Sequence, residues 1–263
     1  MNSIETQYRT TLLAGLLAVL SLLPAGRADA QTVTEERYQL TDEQQLWHES
    51  NNAAGLAHDM RDSTDNRGVA YFDLNHWSGD YTRVQEGDQQ NKLRFFTERY
   101  QKIGRYLYGY GSFDFDMGRT KGRSWSDVMR TYQTDPFISG SAVSGKYDHQ
   151  NFALHARLAS VRFGHFNYGA SFDYRVGDLS RLRDPRSRVR MTDYRLAPSL
   201  TYTLGTSHAM GLAAWYRRYK EKLDGLTTVQ EAPSLKYYQM SGMEYALGTP
   251  GGYSSYWREY VSH

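Results

Sequence analysis

Residues 151–177, NFALHARLASVRFGHFNYGASFDYRVG, decide how the rest of the chain is read. Phe152, Leu154, Ala156 and Leu158 fall on one side of an extended backbone, while Asn151, His155 and Arg157 fall on the other, because successive strand side chains point to opposite faces. After a turn near Gly164 the alternation resumes. Phe166, Tyr168, Ala170, Phe172, Tyr174 and Val176 then oppose Asn167, Gly169, Ser171, Asp173, Arg175 and Gly177. A helix would scatter these apolar positions around its circumference, so the stretch predicts a hairpin with one apolar face and one polar face.

The same period extends outward. Tyr194, Leu196, Leu200, Tyr202 and Leu204 oppose Asp193, Arg195, Ser199, Thr201 and Thr203, with Pro198 removing one ladder donor. Met210, Leu212, Ala214 and Tyr216 continue beyond a turn at 205–208. Upstream, Leu107, Gly109, Gly111, Phe113 and Phe115 alternate with Tyr106, Tyr108, Tyr110, Ser112, Asp114 and Asp116, and weaker strands are expected at 68–77 and 91–100. Connections alternate in length. Those near Lys102, Gly164 and Thr206 are tight, whereas 78–90, 117–149, 179–192 and the stretch from Lys220 onward are long. A transmembrane barrel sorts its connections in this way, short on one side of the bilayer and long on the other. The expected fold is therefore all-β, an antiparallel transmembrane β-barrel over 68–263 preceded by a short N-terminal helical segment at 31–67, with Thr41 and Gln44 forming a capping box. About seven strands are legible, fewer than a closed barrel of this kind needs, so the chain is read as the N-terminal part of a longer barrel, or else as one that closes with strands hidden in Val229 to Val261.

Composition agrees with an interface. The 263 residues include 22 Tyr, 10 Phe and 5 Trp but only 40% hydrophobic residues, and Tyr suits positions with one wet end and one greasy end. The formal charge of +2 gives no global field for nucleic acid, and the absence of Cys excludes disulfides and thiolate chemistry. Residues 1–30 read as a signal peptide: Arg9 supplies the positive region, 12–23 (LLAGLLAVLSLL) the apolar run, and Ala28-Asp29-Ala30 the cleavage site. Export to the outer membrane follows as the expectation.

Catalytic patterns are missing. His48-Glu49 lacks the second His of a zinc-protease helix, Gly109 and Gly111 lack the third Gly of a dinucleotide loop, and no Ser sits in a G-x-S-x-G elbow. No enzyme activity, cofactor or metal is expected. Asp114, Asp116, His155, Arg157, Asp173 and Arg175 all fall on the polar face and are the candidate lumen-lining residues, read chiefly as charge pairs of a polar interior. Arg181, Arg183, Arg186, Arg188 and Arg190 could present several guanidinium groups together from a loop, a pattern suited to the phosphates of lipopolysaccharide or to an acidic ligand, or could be a solvated loop with nothing bound.

The segment 46–56, LWHESNNAAGL, resembles the opening signature of an uncharacterised family of Bacteroidota outer-membrane barrel proteins, a domain of unknown function, with Trp47, Asn52 and Gly55 as its marks. Within it, 52–56 (NAAGL) is similar to the Asn-Pro-Ala-Gly-Leu stretch of the long-chain fatty-acid transporter superfamily, with Ala53 in place of the Pro. The resemblance implies a full barrel near 14 strands, with 52–56 tucked into or under it. The functions expected are a pore or uptake accessory beside a TonB-dependent transporter, a non-conducting structural component of the outer membrane, or a soluble carbohydrate-binding β-sandwich.

Overall fold

A computed structural model of the chain describes residues 47, 50–60, 67–131, 137–205, 208–227, 236–241, 244–248 and 256–263. The signal peptide and the Thr41 capping box lie outside the described residues. A 3-10 turn, Ala53–Gly55, runs into a one-turn helix, α1 (Leu56–Asp59). The strands are β1 (Arg67–Ser78), β2 (Gln89–Ile103), β3 (Leu107–Arg123), β4 (Phe137–Gly140), β5 (Gly145–Ser160), β6 (Phe166–Arg181), β7 (Arg188–Leu204), β8 (His208–Ala213), β9 (Tyr216–Asp224), β10 (Tyr237–Ser241), β11 (Glu244–Gly248) and β12 (Tyr256–Ser262).

The main sheet is antiparallel in the order β1-β2-β3-β5-β6-β7-β9-β12, with β8 also on β7, and a small sheet has the order β11-β10-β4. β8 and β9 are one line of chain. Their registers on β7 are continuous, with Ser199 opposite Ala213 and Leu196 opposite Tyr216. The gap falls where Pro198 faces Ala214: Ala214 N–H donates to the Pro198 carbonyl at 3.1 Å, but proline has no N–H to return. Among the described residues no pairing joins β1 to β12.

Connections at 104–106, 161–165 and 205–207 are short, and those at 79–88, 124–144, 182–187 and 225–255 are mostly longer. Two loops are shorter than the sequence implied. β3 runs on to Arg123, β5 starts at Gly145, and β6 and β7 leave only 182–187 between them. At their far ends the alternation continues with its sides exchanged, Tyr147, Leu179, Val189 and Met191 being buried on one face while Asp148, Asp178, Arg188 and Arg190 take the other, so the apolar face followed through the strand centres stops short of these ends.

The two faces differ as the alternation required. On the outer face Phe72, Leu74, Met210 and Leu212 are 66–81% exposed, and Phe152, Leu154, Leu158 and Leu196 are exposed too. No second sheet covers them among the described residues. This apolar surface ends at a definite line: Leu74 on β1, Leu93 on β2, Met117 on β3, Phe152 on β5, Val176 on β6, Tyr194 on β7 and Tyr216 on β9. Beyond it the outer positions become polar, with Arg119–Asp148 (2.6 Å), Arg188–Asp178 (2.8 Å) and Arg190–Asp224 (2.6 Å) as ion pairs. The inner face holds two buried apolar clusters, one at each end. Leu56, Ala57, Met60, Tyr100 and Ala159 form the first, and Tyr147, Leu179, Val189, Leu223 and Tyr237 the second.

Candidate functional site

Two inserts lie against the inner face. At the short-turn end, the side-chain amide of Asn52 donates to the carbonyls of Leu200 (3.0 Å) and Leu212 (3.3 Å), cross-strand partners on β7 and β8. Ala54 N–H donates to Ser199 Oγ at 3.0 Å, and His58 Nε2 shares a hydrogen bond with Thr201 Oγ1 at 3.1 Å. Close approach requires glycine. A Cβ on Gly169 would stand 2.3 Å from Ala54 N, one on Gly211 would stand 2.4 Å from Asn52 Nδ2 and 2.7 Å from the Trp47 ring, and one on Gly55 would overlap Trp47 at 2.4 Å. Trp47, Asn52 and Gly55 are thus three parts of one docking contact, and the segment 52–56 packs against the sheet.

At the long-loop end, residues 124–131 fold onto the same face. Asp127 accepts from Tyr147 and pairs with Arg181 at 3.4 Å, both partners of the ion pair being fully buried, while Arg181 also donates to Tyr147 Oη at 2.6 Å. Burial, and then the charge of Asp127, holds the nearby Tyr237 hydroxyl protonated well above its usual range. Farther along this insert, Arg130 reaches Asp193 at 2.6 Å and lies 4.6 Å over the Tyr219 ring.

Between the inserts lies a belt of charge around a cavity of about 420 Å³. Asp114 is held by both Nε (3.0 Å) and Nη2 (2.7 Å) of Arg94. Asp173 takes Arg195 at 2.6 Å and His155 Nδ1, while the other nitrogen of His155 accepts from Arg157 at 2.7 Å. With both ring nitrogens engaged, His155 is a structural bridge rather than a free base. Asp193 takes Arg217 through two bonds of 2.9 and 2.8 Å, besides Arg130. Of the residues expected at the lumen, Asp114, His155, Arg157, Asp173 and Arg175 line this cavity. Asp116 is on the same face but one rung away, with Asn151 (3.0 Å), His149 (3.3 Å) and Lys92 (3.5 Å) around it.

The arginine row at 181–190 is not assembled as a row. Arg181 is buried against Asp127, Arg186 pairs with Asp184 (2.9 Å), Arg188 with Asp178 and Arg190 with Asp224, and Arg183 points toward the Ser144 carbonyl (3.4 Å). Strand pairing explains this, since β6 and β7 take up Arg181, Arg188 and Arg190 and turn alternate residues to opposite faces. Ser171, whose replacement by Arg the alternation alone would tolerate, is only 4% exposed. The belt also contains Arg94, Arg130, Asp193 and Arg217. Arg94 and Arg217 carried the inward side of the period; Arg130 lies in a loop and left no periodic signal.

Residues 53–263 match the model of a Family of unknown function (DUF6850). The chain belongs to that family. No curated protein and no solved structure is matched. The family's span opens at Ala53, so the match takes in the docked turn, the helix and the sheet, while Trp47 and Asn52 stand just ahead of it.

Proposed function

We propose that this DUF6850 chain forms the wall of an outer-membrane β-barrel whose polar interior chamber serves solute passage or uptake. The observation that carries the reading is the slant of the apolar surface. Met117, its last member on β3, is six residues beyond Gly111, the β3 residue level with Tyr216, the last member on β9 (117 − 111 = 6). Six residues are about 20 Å along a strand, and the four strand spacings from β3 to β9 are about 19 Å. From β3 to β9 the edge therefore crosses the strands at about 45° to their perpendicular, the angle expected when strands tilt by about 35–45° in a membrane of fixed thickness, whereas Leu74, Leu93 and Met117 stand level across β1 to β3.

The height agrees. Phe166 to Val176 on β6 is about 33 Å along the strand, or about 23 Å after a 45° tilt, close to the ~25 Å apolar band of such barrels. Tyr174, Tyr194 and Tyr216 lie along one margin and Phe166, Tyr168 and Tyr202 along the other, with Ala170, Phe172, Leu196 and Leu200 between them, as two aromatic girdles would. Among the described residues no helix is long and apolar enough to cross a membrane. A water-soluble sandwich would cover an apolar sheet face with a second sheet, and among the described residues no second sheet lies on this face.

The docked 47–60 segment supports kinship with plugged outer-membrane transporters, and a TonB-dependent transporter is the partner proposed for an uptake accessory. A second reading has its own observation: both inserts occupy the inner face, which favours a non-conducting structural component. Fractionation and bilayer recording separate the readings. The protein should stay with outer membranes through a carbonate wash and give steps of conductance that increase when 124–131 is shortened. Release by carbonate refutes the membrane assignment, and silence of both proteins refutes the pore.

A further inference from the structure

We propose that the interior chamber is a binding site for a small oxyanion, a carboxylate or phosphate group, with Arg175 as its principal contact. The proposal rests on the chamber reading above for the route by which a solute arrives. Each of the three aspartates around the cavity is already neutralised: Asp114 by Arg94, Asp173 by Arg195, and Asp193 by Arg130 and Arg217. Four guanidinium groups, those of Arg157, Arg175, Arg195 and Arg217, line the cavity with these three carboxylates, while Arg94 and Arg130 reach Asp114 and Asp193 from beside it. Positive charge remains after every pair is made.

Arg175 is where that excess is accessible. It is exposed, lines the cavity, and has no hydrogen bond or ion pair among the described residues. Its partner across β7 is Asp193, whose oxygens are taken by Arg130 and Arg217, and its partner across β5 is Ala153, which fills little space. A planar guanidinium beside open volume can grip an oxyanion through two parallel bonds. The cavity, about 420 Å³, is within the ordinary range for small-molecule sites.

The test is calorimetric titration of the full chain, purified in detergent, with inorganic phosphate in one arm and succinate in the other. Saturable binding in at least one arm is expected, weakening as salt is raised. Arg175→Ala should weaken it tenfold or more, Arg175→Lys should fall between, and Arg162→Ala at the exposed short turn should match the parent. Since Arg175 holds no carboxylate, its removal leaves no buried charge orphaned, and the Lys variant retains the charge should the Ala variant fold poorly. No saturable heat in either arm, or equal binding by the Ala and Lys variants and the parent, overturns the proposal. Conductance plays no part in this measurement, so a silent pore would refute the passage reading alone.

Discussion

Replacing Phe172 by Arg places a guanidinium on the outer face at the middle of β6, six residues from Phe166 and four from Val176. Its neighbours across the strands are Ala156 and Leu196, so no carboxylate is at hand. At the midplane of a bilayer an outward Arg costs about 2–4 kcal/mol, and near the interface about 0–1 kcal/mol. Thr192 faces outward on β7, just beyond Tyr194 where the apolar surface stops, and serves as the shallow position. Phe172→Arg should therefore lower the folding equilibrium in lipid vesicles by about 30- to 900-fold, at about 1.36 kcal/mol per tenfold. Thr192→Arg should change it less than about fivefold. Reversible denaturant unfolding from vesicles, read by Trp fluorescence and by protection from protease, measures both. Equal cost at the two depths would refute the membrane band, because a surface facing water charges almost nothing for either substitution.

Three further outcomes follow from the inserts. Gly169→Val would drive a side chain into Ala54 N and should expel the 47–60 segment at a cost of about 1–3 kcal/mol, seen as new protease cleavage near Trp47 with the strand signal in circular dichroism unchanged. Asn52→Leu removes the donors to Leu200 and Leu212 and should loosen the same segment by about 1–3 kcal/mol; retained protection would argue that packing alone holds it. Asp127→Ala leaves Arg181 buried without its carboxylate and should cost about 3–5 kcal/mol in the denaturant midpoint, whereas Arg190→Ala, at an exposed pair, should cost less than about 1 kcal/mol.

The inner belt and the outer band also constrain one another. A strand of period two cannot supply one apolar face without presenting its other residues on the opposite one, and that opposite face of β3, β5, β6 and β7 is accordingly rich in Asp and Arg. Ion pairing within the belt lets that charge be held in a confined space, since a buried carboxylate lacking its partner would be far costlier than the pair. The inserts then divide the inner face into two apolar ends and one polar middle.

Much of this was legible in the residues themselves. The alternation across 151–177 and 193–204 determines which side chains share a face, because the strand period is two whatever surrounds it. Asp114, His155, Arg157, Asp173 and Arg175 could be grouped on that basis before any strand was paired. Register, by contrast, belongs to the fold. Only the pairing of β3 through β9 reveals that the apolar edge slants, that Arg181 and Asp127, 54 residues apart, bury one another, and that Arg130 completes Asp193. Such contacts join residues distant in the chain, and their energy depends on burial and partner geometry, neither of which a local pattern of residue types encodes. The sequence alone thus determined the faces; the tertiary structure decided which charges are spent on one another and that Arg175 is left over.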